Sequence, residues 1–325
     1  MTSFLVRFKK GNMQKSMIEG NTLKLILDFS IPLLLGNLFQ QFYNVVDAAI
    51  VGQTLGSKAL AAVGASSSVQ FLILGFCMGI CQGFAIMVSQ SFGAKKLDEM
   101  HTYIYTGAIW TAITAFVVSI LVVVFCADIL HILQVNDEIF KDAYAYLVVI
   151  FAGIPFTLLY NYLSAILRAI GDSKTPFFFL AFSAVLNIGL DFFCILVLKW
   201  GCAGAAIATI FAQAVSGILC LLLIALKVNV LHIPKTSRYV DKKHSVKLLA
   251  MGVPMGLQFS ITAIGSMVMQ SANNALGTIY VSGFTAGRVC LQLLQQSFIQ
   301  SGNIIRVDYR CMNTFFLQHL RRPCF

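Results

Sequence analysis

Seven stretches of this 325-residue chain contain no Asp, Glu, Lys or Arg: 29–46, 59–94, 101–127, 143–167, 176–190, 200–226 and 248–287. A helix needs about 20 mostly apolar residues to cross a hydrocarbon core about 30 Å thick. Inside lipid the backbone finds no water, so each such run must satisfy its own amides as a helix. The runs predict membrane spans near 25–50, 57–90, 102–126, 139–166, 176–198, 201–226 and 247–271, with an eighth beginning near 279. The chain is 58% apolar and only 11% charged, where a soluble domain carries about 25% charged residues. That balance excludes an ordinary soluble enzyme, a disordered chain and a nucleic-acid-binding module. The expected fold class is all-α, a polytopic membrane helix bundle.

The net charge of +10 is a topology signal in a chain this apolar, and no nucleic-acid partner is expected. Fifteen Lys and Arg precede the first span or fall between spans two and three, four and five, and six and seven. Three (Lys58, Lys141 and Lys199) fall in the other connections. The positive-inside rule then predicts a cytoplasmic N-terminus and a multi-pass protein of the inner (plasma) membrane, in contact with lipid. The first twenty residues, with Arg7, Lys9, Lys10 and Lys15, lack the apolar core and cleavage site of a secretory signal. Cys77 and Cys81 lie one helical turn apart but have no His or carboxylate beside them in sequence, so they read as packing residues and not as a metal pair. Gly75, Gly79 and Gly83 form a repeated small-xxx-small pattern that lets helices approach closely.

An internal repeat is visible. The first span begins Phe29-Ser30-Ile31-Pro32 and continues to Gly36. The seventh begins Met251-Gly252-Val253-Pro254 and continues to Gly256. Pro32 and Pro254 are 222 residues apart, and Leu55-Gly56 and Leu276-Gly277 are 221 apart. Six spans separate the two prolines, so both copies enter the membrane in the same direction, an arrangement found in transporters. Chance similarity between apolar helices is the competing explanation. Each proline removes a backbone hydrogen bond, which makes Pro32 and Pro254 candidate helix hinges.

Polar residues inside the spans are the candidate site. A charged carboxylate within the bilayer costs at least about 2.5–3.5 kcal/mol. Asp47 ends the first span, and Asp191 lies within the fifth, four residues after Asn187 on the same helix face. Asn161 and Thr209 are further oxygen donors. This set of Asp47, Asn161, Asn187, Asp191 and Thr209 suits a proton, a Na⁺ ion held chiefly by Asp47, Asn187 and Asp191, or each in turn. Helix capping and helix-to-helix hydrogen bonding are the alternatives. Asn37, Gln40, Gln41 and Asn44 form one polar stripe on the first helix and are the candidate substrate-cavity residues. Such a stripe faces a water-filled cavity or another helix and not lipid.

The segments Phe42-Tyr43-Asn44-Val45-Val46-Asp47-Ala48-Ala49-Ile50-Val51-Gly52, Ser89-Gln90-Ser91-Phe92-Gly93-Ala94-Lys95, Leu167-Arg168-Ala169-Ile170-Gly171-Asp172-Ser173-Lys174-Thr175-Pro176 and Leu186-Asn187-Ile188-Gly189-Leu190-Asp191 resemble the MATE (multidrug and toxic compound extrusion) family. The resemblance runs from about 20 to 300 and is nearest the bacterial DinF-like and MepA-like branch. It implies two six-helix lobes, alternating access and antiport. It also implies that Asp47 and Asp191 are the coupling-ion carboxylates of the first lobe, with Asn161, Asn187 and Thr209 as partners. The acidic site of the second lobe is not carried over, since no acid occurs from Leu248 through Ile305. After Gln300 the sequence departs from the family, with Arg306-Val307-Asp308-Tyr309-Arg310 and a final Arg321-Arg322-Pro323-Cys324-Phe325. A frameshifted or truncated end is the expected explanation.

The expected organisation is an N-terminal arm at 1–20, a six-helix lobe at 21–227, a basic linker at 228–246, the start of a second lobe at 247–300 and a tail at 301–325. The expected function is secondary active export of lipophilic or cationic small molecules against H⁺ or Na⁺. The transporter is expected to be monomeric, to use no cofactor and to be incomplete in this chain. A lipid-linked precursor flippase and an inactive membrane remnant are the alternatives. No nucleophile–base set, metal quartet or phosphate loop points to an enzyme.

Overall fold

The computed structural model describes residues 22–132, 135, 137–234 and 237–274, and among these the regular structure is entirely helical. The helices are α1 (Thr22–Leu55), α2 (Ser57–Gly93), α3 (Leu97–Val124), α4 (Cys126–Ile132), α5 (Asp137–Ala152), α6 (Ile154–Ala169), α7 (Lys174–Phe192), α8 (Gly201–Lys227) and α9 (Lys242–Asn274). The expected eighth span, the repeat landmarks Leu276 and Gly277, the arm at 1–20 and the tail at 301–325 lie outside the described residues.

Among the described residues, five helical stretches are long and apolar enough to cross a membrane: Lys58–Gly93, Leu97–Val124, Lys174–Val197, Gly201–Lys227 and Lys242–Gly265. The bent pair α5–α6 makes a sixth. At 34 residues α1 has the length as well. The exterior is greasy where lipid would lie: Phe116, Ile120, Leu121 and Val124 of α3 are all exposed.

The connections follow from local chemistry. Gly56 takes φ 89°, a left-handed conformation that costs glycine little, and so separates α1 from α2 without a loop. Gly171 takes φ 91° in the four-residue turn between α6 and α7. Asp172 Oδ1 then accepts hydrogen bonds from the backbone N–H groups of Lys174 and Thr175 at 3.1 and 3.0 Å, capping α7.

Two spans read as continuous differ in the structure. The span at 139–166 is α5 and α6, bent by 48° at Gly153. Pro155 has no N–H to offer the carbonyl of Phe151, so the α-helical ladder breaks there. The Ser119 hydroxyl of α3 donates to that carbonyl at 2.7 Å and satisfies it inside the core. The span at 176–198 ends in a π-helical turn, Phe193–Val197, closed by Leu198 N–H donating to Phe193 O at 3.1 Å.

The core forms where α2, α5, α6 and α8 meet, with α3 and α7 packed around it. Phe84, Phe151, Leu147 and Leu158 are fully buried there. α1 lies against α7 and α2, and α9 lies along α2.

Candidate functional site

α1, α7 and α8 bring their polar residues to one place. Asp47 projects from α1, Asn187 and Asp191 from α7, and Thr209 from α8. Asp191 is completely buried and Asn187 is 1% exposed. With its amide nitrogen facing Asp191, Asn187 donates from Nδ2 to Asp191 Oδ2 at 2.8 Å. Its Oδ1 then accepts from the Thr209 hydroxyl at 3.3 Å and from the Thr209 backbone N–H at 3.1 Å. The Tyr43 hydroxyl lies 3.2 Å from Thr209 Oγ1. A continuous chain of polar contacts thus runs Tyr43–Thr209–Asn187–Asp191.

Asp47 closes this chain on its other side. Its carboxyl lies within interaction range of the Asp191 carboxyl. Oδ1 of each aspartate is nonetheless buried without a hydrogen-bond partner. Two acidic oxygens with unused lone pairs in an apolar interior form an incomplete cluster, because buried polar groups are ordinarily paired. Two negative charges this close repel strongly in such a medium, and one positive charge relieves the repulsion.

Asn161 stands apart from the carboxyls. Its Nδ2 donates back to Thr157 O at 2.7 Å, and it lines a small cavity together with Gln40, Tyr43, Ser183, Thr209 and Gln213. The cavity measures about 40 Å³, room for a few waters and not for a drug-sized molecule. Gln213 lines it and leaves its buried Oε1 unpartnered. Of the polar stripe on α1, Gln40 lines this cavity, while Asn44 is exposed and donates to Gln41 Oε1 at 3.2 Å. Asn37 is half-buried and engaged in a contact of its own. Pro32 and Pro254 both lie within unbroken helices.

Three residues of the cluster do not stand out in the sequence. Tyr43 lies one turn before Asp47, a spacing that marks it once Asp47 is chosen. Tyr146 of α5 lies within electrostatic range of both carboxyls, and its hydroxyl meets the Gln70 side chain of α2. No local pattern selects Tyr146 or Gln70, since both join the site through tertiary packing alone. Cys77 and Cys81 are buried, and among the described residues no group of three or more His, Cys, Asp or Glu is placed to hold a metal ion.

The MatE family model matches residues 32–193, which include Asp47 and the Asn187–Asp191 pair. The chain belongs to the MatE family. It is 34% identical over 271 residues to "Probable multidrug resistance protein YpnP" of Bacillus subtilis, covering 82% of this chain and 60% of that protein. It is 22% identical to "Multidrug export protein MepA" of Staphylococcus haemolyticus, covering 77% of this chain and 56% of that protein. A MOP superfamily transporter from Pyrococcus furiosus shares the fold with a TM-score of 0.81 at 23% identity, covering 87% of this chain and 63% of that one. An outward-facing multidrug resistance MATE family transporter of the same superfamily superposes with a TM-score of 0.80, also at 23% identity, covering 87% of this chain and 63% of that one. This MatE chain is therefore a membrane protein that spans about 60% of the length of the relatives it matches.

Proposed function

We propose that this MatE chain carries the ion-binding lobe of a secondary active multidrug exporter, in which H⁺ or Na⁺ binding at Asp47 and Asp191 drives release of lipophilic or cationic compounds. The reading rests on one observation above all: two carboxyls from different helices meet in the protein interior, each with an unpartnered oxygen. A bound proton or Na⁺ would neutralise the pair, with Asn187 and Thr209 supplying neutral oxygen. Asp47 sits on α1, so neutralising it changes how that helix packs against α7, and Pro32 is the hinge about which α1 would respond. The polar stripe at Asn37, Gln40, Gln41 and Asn44 would then present a different surface to substrate. Asn161 would act from the cavity wall, through Thr209, and not as a direct ligand of the carboxyls.

The protein would lie in the inner membrane as a monomer with its N-terminus cytoplasmic, an orientation supported by fifteen cations on one side against three on the other. The test is uptake of a cationic dye into everted vesicles holding the chain, driven by an imposed H⁺ or Na⁺ gradient. The proposal expects Asp191→Asn to abolish gradient-driven movement. Equal rates in parent and variant would remove the role assigned to Asp191.

A further inference from the structure

The basic segment that leaves α8 and enters α9 takes no part in the polar cluster. From 228 to 247 it carries five Lys or Arg and a single acid, Asp241. One side of it is fastened to α3. His101 Nε2 lies 2.8 Å from Val230 O, and the Thr106 hydroxyl donates to Tyr239 O at 3.5 Å. The Tyr103 ring meets the His244 ring edge-on, with centroids 4.9 Å apart. Leu231, Ser237, Ser245 and Leu248 are buried. The opposite side is open. Arg238, Lys242, Lys243 and Lys247 are exposed there, and Tyr239 and Val240 are each 50% exposed among them. Asp241 is half-buried, with its Oδ2 3.0 Å from His244 Nδ1. Four exposed cations and two exposed apolar side chains therefore stand against one acid that is already engaged.

Depth along α3 decides what this open side meets. α3 begins at Leu97 beside the exposed charges of Lys95, Lys96, Asp98 and Glu99, which mark water. Tyr239 is held at Thr106, about 13 Å further along the helix axis at about 1.5 Å per residue. The headgroup zone on each side of a bilayer is only about 5–8 Å deep. Tyr239 and Val240 therefore stand where headgroups give way to acyl chains, a level that suits an amphipathic tyrosine ring. The long side chains of Arg238, Lys242 and Lys243 reach from there to the phosphates.

We propose that the segment 238–247 is a docking surface for anionic phospholipid, with Arg238, Lys242 and Lys243 on the headgroup phosphates and Tyr239 and Val240 in the acyl boundary. Basic clusters next to a span attract anionic lipid, and each cation near the surface adds to the preference. The apolar pair distinguishes a lipid from a soluble acidic partner, which would leave Tyr239 and Val240 without apolar contact. The contacts to His101, Tyr103 and Thr106 hold the segment in place before any lipid arrives, so little ordering cost attends the docking.

The test places a reporter at that boundary: Tyr239→Trp in a full chain whose own two tryptophans are replaced, Trp110→Phe and Trp200→Phe. The chain is reconstituted in equimolar phosphatidylcholine and phosphatidylglycerol, with bromine on the acyl chains of one lipid or the other. Brominated phosphatidylglycerol is expected to quench as though about fivefold richer at the reporter than brominated phosphatidylcholine. Salt at about 0.5 M should shrink that preference. Arg238→Gln, Lys242→Gln and Lys243→Gln together should abolish it, and Lys141→Gln at the start of α5 should leave it intact. Equal quenching by the two lipids, or a preference that survives the triple substitution, would overturn the proposal. So would the absence of quenching by either lipid, since protein would then cover the segment. Should the reporter chain not fold, lipid retained by the parent through detergent purification from the same mixture gives the reading. Enrichment of phosphatidylglycerol in the parent and its loss in the triple variant support the docking surface, and equal retention overturns it. Neither readout depends on Asp47, Asp191 or the orientation of the chain in the vesicle, so the outcome is separate from that of the dye-uptake experiment.

Discussion

α1 and α9 share a similar order of proline and glycine, and they sit in different surroundings. Each carries a proline in its early turns and a glycine shortly after it, Pro32 and Gly36 in one, Pro254 and Gly256 in the other. In α1 the glycine is loosely surrounded: a Cβ at Gly36 would meet Leu180 and Phe177 at an ordinary 3.7 Å. In α9 the glycine is pressed against the Phe76 backbone. α1 goes on to Gln40, Tyr43 and Asp47 and so reaches the polar cluster, whereas α9 carries no acid after its start. The two helices share backbone landmarks and differ in chemistry: α1 brings polar side chains to the cluster, and α9 packs on α2.

The sharpest way to break that contrast is to add the same methyl group to both helices. Gly256→Ala should destabilise the chain by about 1–3 kcal/mol through overpacking. Gly36→Ala should be neutral or should stabilise by up to about 1 kcal/mol, because alanine is the better helix former. Melting of both variants in detergent is the check, and equal losses would erase the distinction between the helices. Next in size is Thr209→Val, which removes the hydroxyl linking Tyr43 to Asn187. It should weaken ion binding about tenfold, measured by titration of the purified chain, with little change in helical content. Tyr43→Phe removes the outer end of the same chain and should cost less, roughly threefold, because Thr209 keeps its contact with Asn187. Asn44→Ala on the exposed flank of α1 should change melting by less than about 0.5 kcal/mol. A larger effect would mean that this flank is covered in the working protein.

The sequence revealed what local pattern encodes. Charge-free runs located the spans, and acids inside them marked Asp47 and Asp191. The break at Gly153 was missed because it lies inside an unbroken apolar run, although Gly153-Ile154-Pro155 carried the signal. Gly75, Gly79 and Gly83 announced a close approach without naming the helix that makes it. Their partners Gly252 and Gly256 lie more than 160 residues away. Tyr146 and Gln70 were invisible for the same reason. In an apolar helix a tyrosine reads as an interfacial residue until the fold sets it beside two carboxyls.

The account depends on Asp47 and Asp191 forming one receptor for a positive charge. Thermal melting of the purified chain during Na⁺ titration at constant ionic strength, and in parallel during acid titration, tests this directly. One of the two ions should raise the parent's melting temperature by several degrees, as a ligand of the native state must. Asp191→Asn should abolish that rise. An identical rise in parent and variant would show that the ion binds elsewhere, and the carboxyl pair would be left without a ligand.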